Sequence, residues 1–419
     1  MSASHSVLAW SIAAAAIACV IVRPKQWPEA VWACLGAVLL VVCGVLRIGT
    51  ALRAAAKGTD VYLFLTGMML LAELARREGV FDWLAGLAVR FSNGSRVRLF
   101  VLIYAVGVLV TVFLSNDATA VVLTPAVYAA VRRARTDALS YLFICAFIAN
   151  AASFVLPISN PANLVVYGSG LPPLLRWLKA FLIPSICSIA ATYVALRWMV
   201  RRELRGEIQD GAGAPPLSPG GKRAAWSIAA SAVVLMAASA LGCDLGLPTC
   251  AAALLAMLAA TRFRMPALRE TVSGVSWSVL PLVAGLFVLM EGLDRAGASA
   301  ALSHLLTRLS GWPPMSGAPA AAIAIAAVSN VMNNLPAGLL AAGAIGTGHI
   351  APRIRDAVLI GVDLGPNLSV TGSLATILWL IALRREGISI GGWRFLKMGA
   401  VVMPPALLAA TAAAAWLSR

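Results

Sequence analysis

The chain has 419 residues, 60% of them hydrophobic and only 12% charged, with a formal net charge of +16. An ordinary soluble domain carries about 25% charged residues, so this composition excludes a soluble globular enzyme and indicates a polytopic membrane protein. The arginines lie in short loops between apolar runs, which excludes a continuous nucleic-acid-binding face and reads as a topology signal instead.

Apolar runs recur along the chain, roughly at 6–22, 28–46, 60–76, 97–131, 138–168 and 181–200. A second set falls at 224–242, 247–261, 276–293, 318–346, 354–383 and 393–417. Many approach the length of about 20 residues needed to cross a bilayer as helix. Residues 6–22 lack a basic leading segment and are followed by more apolar sequence, so they read as a first membrane helix rather than a signal peptide. Between the sets lies the main polar linker, 201–223, with a Gly/Pro/Ser core suited to a flexible connector.

Two apolar runs in each half are interrupted by polar knots. The first is S-N-D-A-T-A-V-V-L-T-P, from Ser115 to Pro125, and the second is I-S-N-P-A-N-L, from Ile158 to Leu164. In the other half Ser329-Asn330 matches Ser115-Asn116, and Ser373 matches Ser159, both at an offset of 214. Glu73, Arg77 and Gly79 are matched by Glu291, Arg295 and Gly297, here at an offset of 218. This duplication predicts a transporter built of two repeats. The expected fold is all-α, with a first repeat at 1–200, a cytoplasmic linker at 201–223 and a second repeat at 224–419. Each repeat is expected to hold about five transmembrane helices, a re-entrant hairpin and one broken helix. The hairpins are placed at about 97–131 and 301–346, with the second tip at Ser329-Asn330. The broken helices are placed at about 138–168 and 354–383. Five crossings is an odd number, so the second repeat inserts upside down. Ten crossings put most of the 33 lysines and arginines on one face, which makes that face cytoplasmic and both termini periplasmic. A twelve-crossing chain, with both hairpins spanning, is the alternative.

Non-helical backbone is tolerated at bilayer depth only where it is buried in protein or lines a cavity. Two hairpin tips and two helix breaks brought together would form a small chamber of neutral donors and acceptors. The candidate substrate-binding residues are Ser115, Asn116, Thr119, Asn150, Ser159, Asn160 and Asn163 from the first half. From the second half they are Ser329, Asn330, Asn333, Asn334, Asn367, Thr371 and Ser373. The equal offset pairs Ser115 with Ser329, Asn116 with Asn330, Thr119 with Asn333, Ser153 with Asn367, and Ser159 with Ser373. Carboxylates inside membrane segments are costly and are functional or paired, so Asp117 and Asp363 are the candidate proton carriers. Glu73 and Glu291 precede Arg77 and Arg295 by four residues, the favourable order for a helical ion pair.

The seven cysteines form no C-x-x-C pair, the three histidines show no metal spacing and no P-loop motif occurs, so neither metal, cofactor nor catalytic residues are expected.

The segments F-L-S-N-D-A-T-A-V-V-L-T-P (113–125), F-I-A-N-A-A-S-F-V-L-P-I-S-N-P-A-N-L (147–164) and V-D-L-G-P-N-L-S-V-T-G-S-L-A-T (362–376) resemble the ArsB-type arsenite/antimonite efflux permeases of the ion transporter superfamily. The resemblance covers essentially the whole chain. It implies export of arsenite and antimonite across the bacterial inner membrane by proton antiport, by alternating access, with membrane lipid around it. A soluble arsenite-stimulated ATPase is a further partner in such systems. Sodium-coupled dicarboxylate relatives carry Ser-Asn-Thr at the hairpins, where Asp117 and Val331 stand in this chain, which favours protons over sodium. The alternatives are a sodium/proton antiporter, an oxyanion or silicic acid exporter on the same fold, or a non-transporting membrane anchor for an ATPase.

Overall fold

The computed structural model describes residues 3–208 and 216–417, so residues 209–215 of the expected linker lie outside it. Helices account for almost all regular structure among the described residues, beside one isolated bridge between Ser95 and Glu207. The first half runs α1 (Ala3–Val22), α2 (Glu29–Val42), α3 (Ile48–Ala56), α4 (Thr59–Arg77) and α5 (Val80–Phe91). It continues through α6 (Arg96–Phe113), α7 (Thr124–Arg133), α8 (Leu139–Ala151), α9 (Pro161–Tyr167) and α10 (Leu174–Met199). The second half runs α11 (Pro219–Ala240), α12 (Gly246–Thr261), α13 (Met265–Gly274), α14 (Val279–Arg295) and α15 (Ala298–Ser310). It ends with α16 (Pro314–Met332), α17 (Asn334–Thr347), α18 (Pro352–Leu364), α19 (Leu374–Arg385) and α20 (Gly392–Leu417). The second ten follow the order of the first ten.

The halves pack reciprocally. Helix α4 lies against α12 and its counterpart α14 lies against α2, while α10 packs along α20. Two equivalent glycines mark the crossings. A Cβ on Gly67 would sit 2.6 Å from the Thr249 carbonyl, and one on Gly285 would sit 2.7 Å from the carbonyl carbon of Ala33. Small residues at such positions let membrane helices approach backbone to backbone.

Seven helices among the described residues are long and apolar enough to cross a membrane, or eight if the pair α3–α4, bent by 47°, is one span. Length alone differs from the expected ten for a structural reason. It counts the hairpin arms α6 and α16, and passes over the short apolar helices α2, α8 and α12. The short helices α3 and α13 have no counterpart among the sequence expectations. They are short, and α3 carries its polar side chains on one face, so hydropathy runs do not reveal them.

The second hairpin also departs from expectation. Residues 301–310 belong to α15, the hairpin itself is α16–α17, and its tip is Asn333 rather than Ser329-Asn330. Helix α16 runs straight through Ser329 and Asn330, and the break comes where Asn333 adopts φ 79°, ψ 157°. Ser115 at the first tip adopts φ 132°, ψ 163°. Both lie in a backbone region that is essentially glycine's, at a cost of about 1–3 kcal/mol each.

Candidate functional site

Each of the four interruptions places an Asn or Ser at the start of a half-helix. The Ser115 hydroxyl accepts the Ala118 N–H at 3.3 Å, and Asn333 Oδ1 accepts the Leu335 N–H at 3.4 Å. In the broken helices Asn160 Oδ1 accepts the Ala162 N–H at 3.0 Å, and the Ser373 hydroxyl accepts the Thr376 N–H at 3.1 Å. These are N-caps, a role that Ser and Asn fill about equally well. The equivalence they define joins Ser115 to Asn333 and Asn116 to Asn334, at the same offset of 218 that relates Glu73 to Glu291. It joins Asn160 to Ser373 and Asn150 to Asp363, at an offset of 213. The pairing by a uniform 214 is therefore corrected at every position. It matched identical letters, whereas the backbone matches identical capping roles.

Past the first tip the chain makes a π-helical turn, Thr119–Leu123, before α7. Pro125 has no N–H for the carbonyl four residues back, which loosens the ladder there. The Thr111 and Thr119 hydroxyls bond each other at 2.8 Å across the tip. Thr119 is thus a buried staple of the hairpin.

The starts of all four half-helices meet around a void of about 10 Å³, lined by Asn116, Asp117, Asn160, Pro161, Asn334, Leu335, Leu374 and Ala375. Helix N-termini present partial positive charge, and Asp117 is the carboxylate set among them. No hydrogen bond or ion pair reaches the Asp117 side chain among the described residues, while its backbone N–H donates to Asn116 Oδ1 at 2.9 Å. Below this void opens a cavity of about 450 Å³. Ser115, Asp117, Ala118 and Pro161 form its inner end, with Phe64, Leu65, Met68, Met69, Val121, Val122, Leu378 and Ile381 among its walls. Glu73, Arg76, Arg385 and Glu386 stand at the other end. That face also holds Arg77, tied to Glu270 and to the Ala267 carbonyl, and Arg223, which donates to Ala260 O. The expected ion pair between Glu73 and Arg77 is not formed, because Arg77 turns to α13 and Arg76 takes Glu73 through two bonds of 2.7 and 2.6 Å. Glu291 pairs with Arg295 as expected, at 3.0 Å.

Asp363 is fully buried behind this cavity. It accepts from the Ser153 hydroxyl at 2.7 Å and from Asn160 Nδ2 at 2.8 Å, both in the first half. Asn150 Nδ2 donates to Asn367 Oδ1 at 3.0 Å, and Asn367 Nδ2 donates to the Phe147 carbonyl. Asn163 donates to the carbonyls of Ser153, Leu156 and Pro157, holding the first break in shape. Ser159 donates to Val112 O at 2.9 Å, fastening that break to the first hairpin. Asn330 donates to the carbonyls of Ala326 and Gly365 and accepts from Ser369, while Thr371 donates to Asn330 O. Ser329 is buried one turn before the second tip, its hydroxyl without a partner.

Of the sequence candidates, Ser115, Asn116, Asp117, Asn160 and Asn334 border the cavity or the central void, and Asn333 borders a small void beside the second tip. Thr119, Ser159, Asn330, Asn367 and Thr371 spend their polar groups on the breaks and tips themselves, and Ser373 spends its hydroxyl on its cap, whereas Asn150 and Asn163 donate there but keep a buried Oδ1 without a partner. The chamber of free amides and hydroxyls expected from sequence is instead an apolar-walled cavity with a polar inner end. Its largest wall, α4, was missed as a site element. The signal available was the pairing of Met68-Met69 with Glu73 and Arg76 on one amphipathic helix.

The family profile of the citrate transporters (CitMHS) matches residues 17–389. The chain is 28% identical to the arsenical pump membrane protein of Escherichia coli (strain K12) over 428 aligned residues, covering 98% of each. It is 26% identical to an uncharacterised transporter of Mycobacterium tuberculosis (strain ATCC 25618 / H37Rv), covering 83% of this chain and 84% of that one. In fold it resembles the Alcanivorax borkumensis YdaH transporter, whose crystal structure is described as having an unusual topology. The TM-score is 0.55 at 14% identity, covering 88% of this chain and 86% of that one. This multi-pass protein of the bacterial inner membrane is a transporter that belongs to the citrate transporter family.

Proposed function

We propose that the protein exports arsenite, and antimonite with it, by proton antiport through alternating access of two inverted repeats. The observation that carries this reading is Asp117, a carboxylate without a bonded partner at the inner end of a cavity that opens on the arginine-rich face. By the positive-inside rule that face is cytoplasmic, so the solute enters there and meets Asp117 where four half-helices begin. Arsenous acid is a small neutral trihydroxyl at neutral pH and gains nothing from the membrane potential. A proton moving inward gains about 2.3 kcal/mol per 100 mV, and a carboxylate that alternately binds solute and proton joins the two flows. The resemblance to arsenical pump membrane proteins supports the choice of cargo. None of the cysteines borders the cavity among the described residues, which suits a solute that is held by oxygen groups and then released.

The test is arsenite uptake into everted vesicles driven by an imposed proton gradient alone. Uptake abolished by collapsing that gradient supports antiport, whereas uptake that requires added ATPase and ATP overturns it and favours an ATPase-coupled pump. A second reading, an exporter of small oxyanions, is favoured by Arg76 and Arg385 beside the cavity, and competition by a panel of oxyanions in the same assay separates the two. Thiol labelling at position 3 and in the linker from opposite sides of the membrane checks the inverted arrangement.

A further inference from the structure

The equivalence of the halves locates a second region matching the open cavity. Phe64, Met68, Ser115 and Asp117, which border the cavity of about 450 Å³, correspond to Leu282, Leu286, Asn333 and Leu335, which border a void of about 20 Å³ or its rim. Further along the same pair of helices Glu73 corresponds to Glu291. Each glutamate is faced by the end of the short helix before the other repeat's counterpart: Gly274, last in α13, lies against Glu73, and Lys57, just past α3, lies against Glu291. Around Glu73 and Gly274 the cavity is open. Glu291 is instead paired from two sides by cations that are themselves half-exposed or more: Lys57 Nζ lies 2.9 Å from Glu291 Oε2, and Arg295 Nε lies 3.0 Å from its other oxygen. One turn away Tyr62 meets Phe287 edge-on at 6.1 Å between ring centres, and Met290 beside them is only 6% exposed. By the same offset of 218 the counterpart of Lys57 is Val275, an uncharged residue that borders the cavity, and Gly274 before it lies so close that a Cβ there would press directly on Glu73 Oε1.

We propose that the Lys57–Glu291–Arg295 cluster is a latch closing the outer half of the solute path, which runs past Met290 to the second tip, and that Val275 is the position where the inner half lacks its latch. This rests on the transporter reading, though not on the identity of the cargo. The test uses the full chain in cells, with Met290→Cys probed from outside by an impermeant maleimide. Peptide-resolved mass spectrometry reads that site, so the native cysteines stay in place. Labelling should be slow in the otherwise unaltered protein and should quicken by at least about threefold with Lys57→Ala or Glu291→Gln, in keeping with the modest strength of exposed ion pairs. Lys57→Arg should restore slow labelling, which separates loss of the latch from general loosening of the fold. Conversely, Val275→Lys should protect Ala72→Cys, in the open cavity, from reagent applied to the arginine-rich face. Unchanged labelling in both the Lys57→Ala and Glu291→Gln proteins, or equal acceleration by Lys57→Arg, overturns the proposal. Arsenite flux measured on the same membranes is a separate readout. Protein that labels as expected but moves no arsenite keeps the latch and loses the cargo, and protein that exports arsenite with insensitive labelling loses the latch.

Discussion

The two hairpin tips share a backbone and differ in chemistry. Ser115 and Asn333 occupy equivalent positions, adopt the same rare conformation and cap the returning arm. Two residues on, one tip carries Asp117 facing a cavity and the other carries Leu335 in a nearly closed void. The two halves thus share the part that breaks the helix. The carboxylate that borders the cavity is present once, since Leu335 stands at the equivalent position. A single carboxylate suffices if the same central site is reached alternately from either face.

The sharpest way to break this comparison is to remove the difference. Asp117→Asn keeps the shape and hydrogen-bonding capacity of the first tip, so arsenite exchange between two loaded compartments should persist. Uphill export and its pH dependence should vanish. Asp117→Leu, which copies the second tip, should abolish exchange as well. Flux assays with and without a proton gradient distinguish these outcomes, and normal uphill export by Asp117→Asn would move the proton site to Asp363.

Asp363 tests a second difference, since its equivalent is the neutral Asn150. Asp363→Ala strips the buried Asn160 amide of its acceptor, while the Ser153 hydroxyl keeps the Asn150 carbonyl, at a cost of about 1–3 kcal/mol. The melting midpoint in detergent should fall sharply, with Asp363→Asn falling less. A midpoint unchanged by Asp363→Ala would show that this network does not join the halves.

Symmetry itself is probed by Gly67→Val and Gly285→Val. Each forces side-chain volume into a backbone contact under 3 Å, and each should destabilise by about 1–3 kcal/mol. The two effects should be equal within the error of the melt, and a large inequality would mean that the crossings are not equivalent.

The smallest effect is expected at the caps. Ser115→Gly and Asn333→Gly relieve strained backbone at the loss of a cap that glycine replaces to within a few tenths of a kcal/mol. Both variants should melt slightly higher than the parent protein. Export should slow only in Ser115→Gly if the first tip handles the cargo.

Much of this was legible in the residues themselves. Apolar runs of about 20 residues read as membrane helix, and non-helical backbone inside them must be buried in protein or line a cavity, so the breaks near Ser115, Pro157–Asn163 and Gly365–Ser373 could be placed directly. The repeat was visible in Glu73, Arg77 and Gly79 against Glu291, Arg295 and Gly297. What sequence could not decide was which polar side chains remain available to a solute. An asparagine that caps a helix and one that faces a cavity are the same letter, and only the packing around them consumes or spares their hydrogen bonds. That is why Asn163 and Asn330 proved to be fasteners while Asp117 was left facing the cavity. For the same reason the second tip moved from Ser329 to Asn333: a helix ends where its backbone turns and its N–H groups find a cap, which depends on the neighbours that tertiary structure brings up. Whether the path opens on one face or the other was likewise decided only in three dimensions, by contacts such as that of Lys57 with Glu291, two residues far apart in the chain.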